Sequence, residues 1–156
     1  MIKEYESLLV REGDPLRGRE IFRKTCAGCH KIGDIGVNVA PDISDSRVKT
    51  PAQYLTDILD PNRAVDNNYF AYMLQDTSGR TVTGVIASES ASSVTLKQAE
   101  GKTETVLRSD IAILKSTGQS FMPANLEKAV LPEQMVDLIS FVKNWRYLDG
   151  KTPLGK

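Results

Sequence analysis

The spacing of apolar side chains changes twice along the chain. Before about residue 69 the apolar residues recur every three or four positions, as they do on one face of a helix. Between about residues 69 and 116 the period is two, with β-branched residues separated by turn sequences, and beyond about residue 131 the helical period returns. The pattern predicts helices towards both ends of the chain and strands between them.

Three helices are predicted from this pattern and from the residues that begin and end them. Residues 14–25 open with Asp-Pro, an N-cap residue followed by the residue favoured at the first helical position. Residues 50–61 open with Thr-Pro and are stopped by a second proline. Residues 131–145 carry the longest apolar stripe, with basic residues near its end. Residues 1–13 give no clear end signals, and the segment could form a short helical turn or lie extended.

Residues 69–116 predict an antiparallel β meander. Short β-branched stretches are separated by turn-forming residues, which is typical of consecutive hairpins, and we expect four or five strands. The stretches are YFAYMLQD, RTVTGVIAS, SVTLKQ, TETVLR and IAILK. We predict a single domain over residues 1–156, with the strands at 69–116 as an insertion and with tails at 1–13 and 149–156.

The charge balance excludes several classes of partner. The 156 residues contain 20 Lys+Arg and 20 Asp+Glu, so the formal net charge is +0. A chain without a basic field is not expected to bind nucleic acid. No apolar run approaches the length of a membrane span, and the acidic start, MIKEYESLLVREGD, differs from a secretory signal. We therefore expect no nucleic acid partner, no membrane span and no signal peptide in this chain.

Both cysteines and the only histidine lie in one pentapeptide, Cys26-Ala27-Gly28-Cys29-His30. In a Cys-x-x-Cys-His sequence each thiol can form a thioether with a vinyl group of haem, and the histidine is an axial ligand of the iron. The motif therefore predicts one haem c, covalently bound through Cys26 and Cys29, with His30 on the iron.

Three other uses of these residues compete with haem attachment. A structural zinc site needs four ligands, whereas the chain has three Cys and His residues in total. A thioredoxin-like dithiol follows a buried strand, whereas the residues before Cys26 have the pattern of a charged amphipathic helix. A disulfide between Cys26 and Cys29 would close a loop too short to add much stability and would leave His30 unexplained.

A second iron ligand has to come from another residue type, because His30 is the only histidine. A methionine thioether is the expected donor, and the chain has 4 methionines. Met1 is terminal, while Met73 in a predicted strand and Met135 on the last apolar stripe are explained by packing. Met122 lies in an irregular segment and is followed by proline, so it is the predicted ligand, with gap filling as the competing explanation.

Several sequence features together resemble a known family. Gly18 and Phe22 precede the CxxCH motif, the sequence APDI at residues 40–43 follows it, and Met-Pro at residues 122–123 precedes an aromatic-bearing terminal helix. These features resemble class I c-type cytochromes. Longer runs are similar, more narrowly, to the planctomycete-type haem-binding domain. These runs are ILDPNRAVDNNY, GRTVTGVIASES, SVTLKQAEGK and RSDIAILKSTGQSFMP.

The resemblance implies a mainly α, cytochrome c-like fold, in which three or more helices surround one covalent haem. The antiparallel meander is then an insertion into that fold, and its strands are reminiscent of a small SH3-like barrel. The first and last helices are expected to cross, with Gly18 and Phe22 packed against the apolar stripe of the last helix.

The resemblance also assigns residues around the haem. Pro41 is expected to offer its backbone carbonyl to the His30 ring nitrogen that faces away from the iron, which orients the ring and raises its basicity. Ala40 stands where many relatives carry glycine. Arg63 and Tyr69 are the expected partners of the haem propionates.

The resulting hypothesis is a monohaem electron carrier with His/Met ligation that is not itself an enzyme. The resemblance implies a redox partner protein or a fused dehydrogenase domain, within a larger exported protein that is periplasmic or otherwise extracytoplasmic. The near-zero charge predicts weakly steered docking through an apolar patch. The rival hypothesis is a gas-binding or sensing haem domain with a labile sixth ligand. Peroxide chemistry ranks third, because no second histidine can act as acid or base.

Overall fold

The computed structural model describes residues 2–45 and 48–148. Its helices are α1 (Ile2–Glu6), α2 (Pro15–Thr25), α3 (Pro51–Leu59) and α4 (Pro132–Asn144). The three predicted helices are confirmed as α2, α3 and α4, and α1 is the helical one of the two conformations considered for residues 1–13. None of the helices in the described residues is long and apolar enough to cross a bilayer. Met1 and the predicted tail at 149–156 lie outside the described residues.

The helix starts are fixed by the residues that predicted them. The Asp14 carboxylate accepts hydrogen bonds from the backbone N–H groups of Leu16 at 2.8 Å and Arg17 at 3.2 Å. These backbone hydrogen bonds lower the pKa of Asp14. Thr50 begins α3 with a capping box, in which the side chains of Thr50 and Gln53 accept each other's backbone N–H. Each cap pairs N–H groups that the first helical turn leaves without partners.

Helices α2 and α4 cross in close contact, as expected from Gly18 and Phe22. A Cβ atom at Gly18 would overlap the backbone carbonyl oxygen of Asp137, so glycine is required at this point of the crossing. The rings of Phe22 and Phe141 pack beside it, with centroids 5.5 Å apart. The crossing fixes the direction of α2, and therefore the position of the CxxCH motif that follows it.

A buried carboxylate fastens this crossing. Asp137 on α4 is 8% exposed, and its carboxylate accepts hydrogen bonds from Arg17 Nε at 2.8 Å and Arg17 Nη2 at 3.2 Å. It also accepts the backbone N–H of Asp14 at 2.7 Å. Both partners lie at the start of α2, so Asp137 holds the first turn of α2 against α4. The sequence signal for this contact is a single acidic residue inside an otherwise apolar stripe.

The middle of the chain forms a five-stranded antiparallel sheet. All strands of the described residues are β1 (Lys31–Ile32), β2 (Ile35–Gly36), β3 (Phe70–Asp76), β4 (Thr81–Glu89), β5 (Ser93–Lys97), β6 (Thr103–Leu107) and β7 (Ile111–Ser120). The first two form a small hairpin of their own. The large sheet has the order β6-β5-β4-β3-β7, so four strands form consecutive hairpins and β7 returns to pair with β3.

The expectation of a mainly α fold is wrong. Helical residues make up 37% and strand residues 28% of the described chain, which is an α+β composition. The physical reason is that the sheet encloses an apolar cluster of its own and is not a minor addition to the helical core. That cluster consists of Leu74, Val82, Val94, Leu96 and Val106. Strand β7 also continues to Ser120, beyond the predicted end at residue 116.

The comparison with a small barrel is not borne out either. In the described residues β6 and β7 are the two edges of the sheet, and they pair with β5 and β3 respectively but not with each other. The sheet is therefore open, and β7 leads directly from its edge into the segment that carries Met122.

Candidate cofactor-binding site

The CxxCH motif forms a tight turn that continues α2. The backbone N–H of Cys26 donates to the Phe22 carbonyl at 2.8 Å. The N–H groups of Cys29 and His30 both donate to the Cys26 carbonyl, at 3.0 and 2.9 Å. The two thiols and the imidazole are therefore placed by hydrogen bonds within a single turn of chain.

The His30 ring is oriented by the loop that follows the motif. Its Nδ1 lies 2.8 Å from the Pro41 carbonyl oxygen, and since a carbonyl only accepts, Nδ1 carries the proton and Nε2 is left with a lone pair. Burial lowers the pKa of His30, and the hydrogen bond to Pro41 opposes that shift. The backbone N–H of Ala40 donates to the Cys29 carbonyl at 2.9 Å, and Ala40 needs no positive φ. A neutral imidazole with a free Nε2 is the form that binds a metal.

Ser44 holds the Pro41 loop in place, and sequence reasoning missed it. Its hydroxyl donates to the Asp42 carboxylate at 2.5 Å and accepts the Gly33 backbone N–H at 2.8 Å. Its carbonyl accepts the Trp145 Nε1–H at 2.9 Å. Hydrogen bonds from Ser44 lower the pKa of Asp42. The short Asp-x-Ser sequence after Pro41 is the signal that could have indicated this turn.

The two cysteines have the character of protonated thiols. Burial raises the pKa of Cys26 to about 12, and burial also raises the pKa of Cys29. Reactive dithiols have lowered thiol pKa values, so these surroundings do not suit a thioredoxin-like function. Both thiols are free, and no group of three or more Cys, His, Asp and Glu residues in the described chain could hold a metal ion. The zinc alternative therefore lacks a ligand set there.

A cavity of about 670 Å³ lies between α3, the Pro41 loop, α4 and the segment after β7. Its volume falls in the range of roughly 300–1,000 Å³ that is typical of ligand-binding clefts. Six of the seven residues predicted for the site line it: Cys26, His30, Pro41, Arg63, Tyr69 and Met122. The seventh, Cys29, is half-buried beside the cavity and does not line it.

The described methionines differ in whether they line this cavity. Met122 lines it, as His30 does. Met135 is fully buried in the helical core, and neither it nor Met73 on β3 lines the cavity. Among the described methionines, therefore, Met122 alone shares a cavity with the imidazole.

Residues 16–84 match the family described as cytochrome c. The match covers less than half of the 156 residues, and over this part the chain is similar to a cytochrome c domain. A sequence comparison with curated proteins finds no match. Cytochrome c domains bind haem c covalently, carry electrons to and from a redox partner, and are typically extracytoplasmic in bacteria. The matched residues include the CxxCH motif, Pro41, Arg63 and Tyr69, but end within β4, so Met122 lies outside them.

The residues that line the cavity fit a haem. Large apolar side chains from three helices and from the Pro41 loop form the cavity wall, as a flat apolar macrocycle requires. They include Phe22, Ile43, Tyr54, Ile58, Leu138 and Val142. One imidazole with a free Nε2, one thioether and two protonated thiols complete the donor set that haem c attachment uses. This combination fits haem better than a bare metal ion, for which oxygen or thiolate ligands would have to converge.

The rim of the cavity carries both signs of charge. Arg63 and Tyr69, the predicted propionate partners, lie in the connection between α3 and β3. Lys49 is a further cation that sequence reasoning missed, and its ammonium group lies 2.5 Å from the Asp57 carboxylate. Asp66 also lines the rim, and its carboxylate accepts the backbone N–H of Asn68. A carboxylate-bearing cofactor would find two cations and a phenol there.

The sheet also contacts the CxxCH turn that follows α2. The backbone N–H of Glu100, in the β5–β6 connection, donates to the Gly28 carbonyl at 2.6 Å. Lys97 Nζ donates to the Asn38 carbonyl at 3.1 Å. Glu100 has a positive φ of 63°, which aims its N–H at the turn. No sequence pattern marks these contacts, because they join residues that are far apart along the chain.

Proposed function

We propose that this chain is a monohaem c-type cytochrome that carries single electrons. Cys26 and Cys29 bind the haem through thioether bonds, and His30 and Met122 are the axial ligands of its iron. The observation that carries the proposal is the cavity that His30 and Met122 both line, where the His30 Nδ1–H is already engaged by Pro41. On the sequence runs described above, we assign the chain to the planctomycete-type haem-binding subfamily.

When bound, haem supplies the redox chemistry, because its iron exchanges one electron between the ferrous and ferric states. The protein sets the conditions for that exchange. The hydrogen bond to Pro41 orients His30 and raises its basicity as a ligand. The Met122 thioether is a soft donor that favours ferrous iron, so we expect a higher reduction potential than two histidines would give.

Arg63 and Tyr69 hold the haem propionates in this proposal. Both line the cavity at its rim, where a carboxylate would gain a charge-assisted hydrogen bond from a guanidinium or a hydrogen bond from a phenol. Lys49 is a weaker candidate, because its charge is already engaged by Asp57.

The electron partner is a separate redox protein or a dehydrogenase domain fused to this one, within a larger exported protein in the periplasm or another extracytoplasmic compartment. A formal net charge of +0 supports docking with little long-range steering. The rate of electron transfer to the partner should therefore change little with salt concentration. A steep salt dependence measured by stopped-flow would contradict this docking mode.

The ligands are tested on the purified holo-protein. The ferric protein should show a sulfur-to-iron charge-transfer band, the ferrous protein should bind carbon monoxide slowly, and the mass of the denatured chain should correspond to one attached haem. Met122→Ala should abolish the band and accelerate carbon monoxide binding. Met73→Ala, a matched change on β3, should preserve both properties.

Two results would contradict the proposal. If the band survives in Met122→Ala or is lost in Met73→Ala, the ligand is wrong. If the wild-type ferrous protein binds carbon monoxide rapidly, the gas-binding hypothesis explains the site better than electron transfer does.

A further inference from the structure

The segment that carries Met122 is held by three consecutive backbone N–H groups. Ser120 donates to the side-chain oxygen of Asn62 at 2.8 Å. Phe121 donates to the Tyr69 carbonyl at 3.0 Å, and Met122 donates to the Ser120 hydroxyl at 3.1 Å. Each of the three N–H groups thus has a defined acceptor, although the segment is neither helix nor strand after Ser120.

The strand pairing just before this segment is irregular. The β3–β7 register shifts so that Ala71 alone faces residues 117–119, and Gly118 within them has a positive φ of 72°. The Thr117 hydroxyl donates to the Ala71 carbonyl at 2.9 Å and occupies part of the gap. Because the ladder is interrupted here, β pairing alone does not fix the position of Met122.

Asn62 reaches the segment from the connection that follows α3. It follows α3, directly after the buried Pro61, and is separated from Ser120 by 58 positions. Its own side chain is exposed, so its replacement leaves both apolar cores intact. Of the three acceptors, the Asn62 oxygen is the one that a substitution removes without changing the backbone or the segment itself.

We infer that Asn62 is the positioning residue for Met122, an inference that rests on the proposed function. Its side-chain oxygen fastens the end of β7 to the connection after α3, and this holds the methionine thioether at the cavity. The loss of one such hydrogen bond changes a local equilibrium by roughly fivefold. Asn62 therefore sets the balance between methionine-bound and methionine-free iron without contacting the haem.

Three variants of the holo-protein test this role. Asn62→Ala removes the acceptor, whereas Asn62→Asp keeps an oxygen acceptor. Gln119→Ala is the control from the same segment. The Gln119 side chain is exposed and makes no hydrogen bond in the described residues. The readouts are the sulfur-to-iron band, the rate of carbon monoxide binding, and hydrogen exchange of the Ser120 amide. In Asn62→Ala the band should weaken, and carbon monoxide binding and Ser120 exchange should both accelerate roughly fivefold. Asn62→Asp and Gln119→Ala should behave like the wild type.

Wild-type values of all three readouts in Asn62→Ala would overturn the positioning role. The same holds if Gln119→Ala has an equal effect, because the change would then reflect the segment and not the hydrogen bond. A different result would show that Met122 is not the iron ligand, namely survival of the sulfur-to-iron band in Met122→Ala. In that case hydrogen exchange of the Ser120 amide would still report whether Asn62 holds the segment.

Discussion

The histidine side of the cavity consists of His30 and the groups that hold it, and the methionine side consists of the segment of Met122 and the groups that hold that segment. The two sides are built differently. His30 is held by a backbone hydrogen bond to Cys26, one turn earlier, and by Pro41, 11 residues later. The segment of Met122 is held by Asn62, 58 positions from its partner Ser120. Short-range contacts cost little loop-closure entropy and form together with α2, whereas long-range contacts require the assembled sheet. The histidine side is therefore the rigid part of the site, and the methionine side is the adjustable part.

The largest effect is expected at the α2–α4 crossing, on which the histidine side depends. Gly18→Ala forces a Cβ into the Asp137 carbonyl, so the helices must separate, and we expect a loss of about 3 kcal/mol or more in the free energy of unfolding. Urea denaturation measures it. Leu16→Ala, an exposed position on the same helix, is the control and should change stability by less than about 0.5 kcal/mol. Equal effects of the two variants would contradict the close crossing.

Substitutions at two serines allow a direct comparison of the histidine side with the methionine side. Ser44→Ala leaves the Gly33 N–H unpaired beneath the Pro41 loop and should lower the free energy of unfolding by about 1–2 kcal/mol. Ser120→Ala removes the acceptor for the Met122 N–H, and it should weaken the sulfur-to-iron band while leaving the urea midpoint nearly unchanged. If Ser120→Ala lowers global stability as much as Ser44→Ala does, the distinction between the two sides is wrong.

This contrast also explains what could be predicted from the sequence. The helix ends, the CxxCH turn and the five strands depend on short-range patterns such as Asp14-Pro15 and Thr50-Pro51, and the structure agrees with them. The hydrogen bonds of Asn62 and Glu100 join residues far apart in the chain, which no local pattern encodes. The fold class was mispredicted for a related reason. The local patterns show the strands but not that they enclose an apolar cluster of their own.

A smaller effect is expected where the sheet touches the CxxCH turn. Proline at position 100 cannot adopt a positive φ and has no N–H for the Gly28 carbonyl, so Glu100→Pro should cost roughly 1 kcal/mol. Glu100→Gly keeps the N–H and relieves the positive φ, so it should leave stability unchanged or raise it by up to about 1 kcal/mol. Thermal unfolding compares the two. Equal losses in both variants would mean that the Glu100 side chain, and not its backbone, makes the contact.

The smallest expected effect is a loss of folding stability at low pH. Hydrogen bonds from Ser78 and Arg80 lower the pKa of Asp76 to about 2, from an ordinary value of about 3.9. A lowered carboxyl pKa contributes stability above the ordinary value, and this contribution is lost as pH falls through the folded-state pKa. Stability should therefore decline between about pH 4 and pH 2, and Asp76→Asn, which keeps one oxygen acceptor, should make that decline shallower. Urea midpoints measured from pH 5 to pH 2 test this, and parallel curves for the two proteins would contradict it.

The most direct test of the account is a urea titration of the ferric holo-protein followed by two signals. The sulfur-to-iron band reports Met122 on the iron, and far-UV circular dichroism reports the helices that position His30. We expect the band to disappear at a lower urea concentration than the helical signal. Coincident loss of the two signals would contradict a rigid histidine side and an adjustable methionine side, and absence of the band from the native protein would contradict Met122 as a ligand.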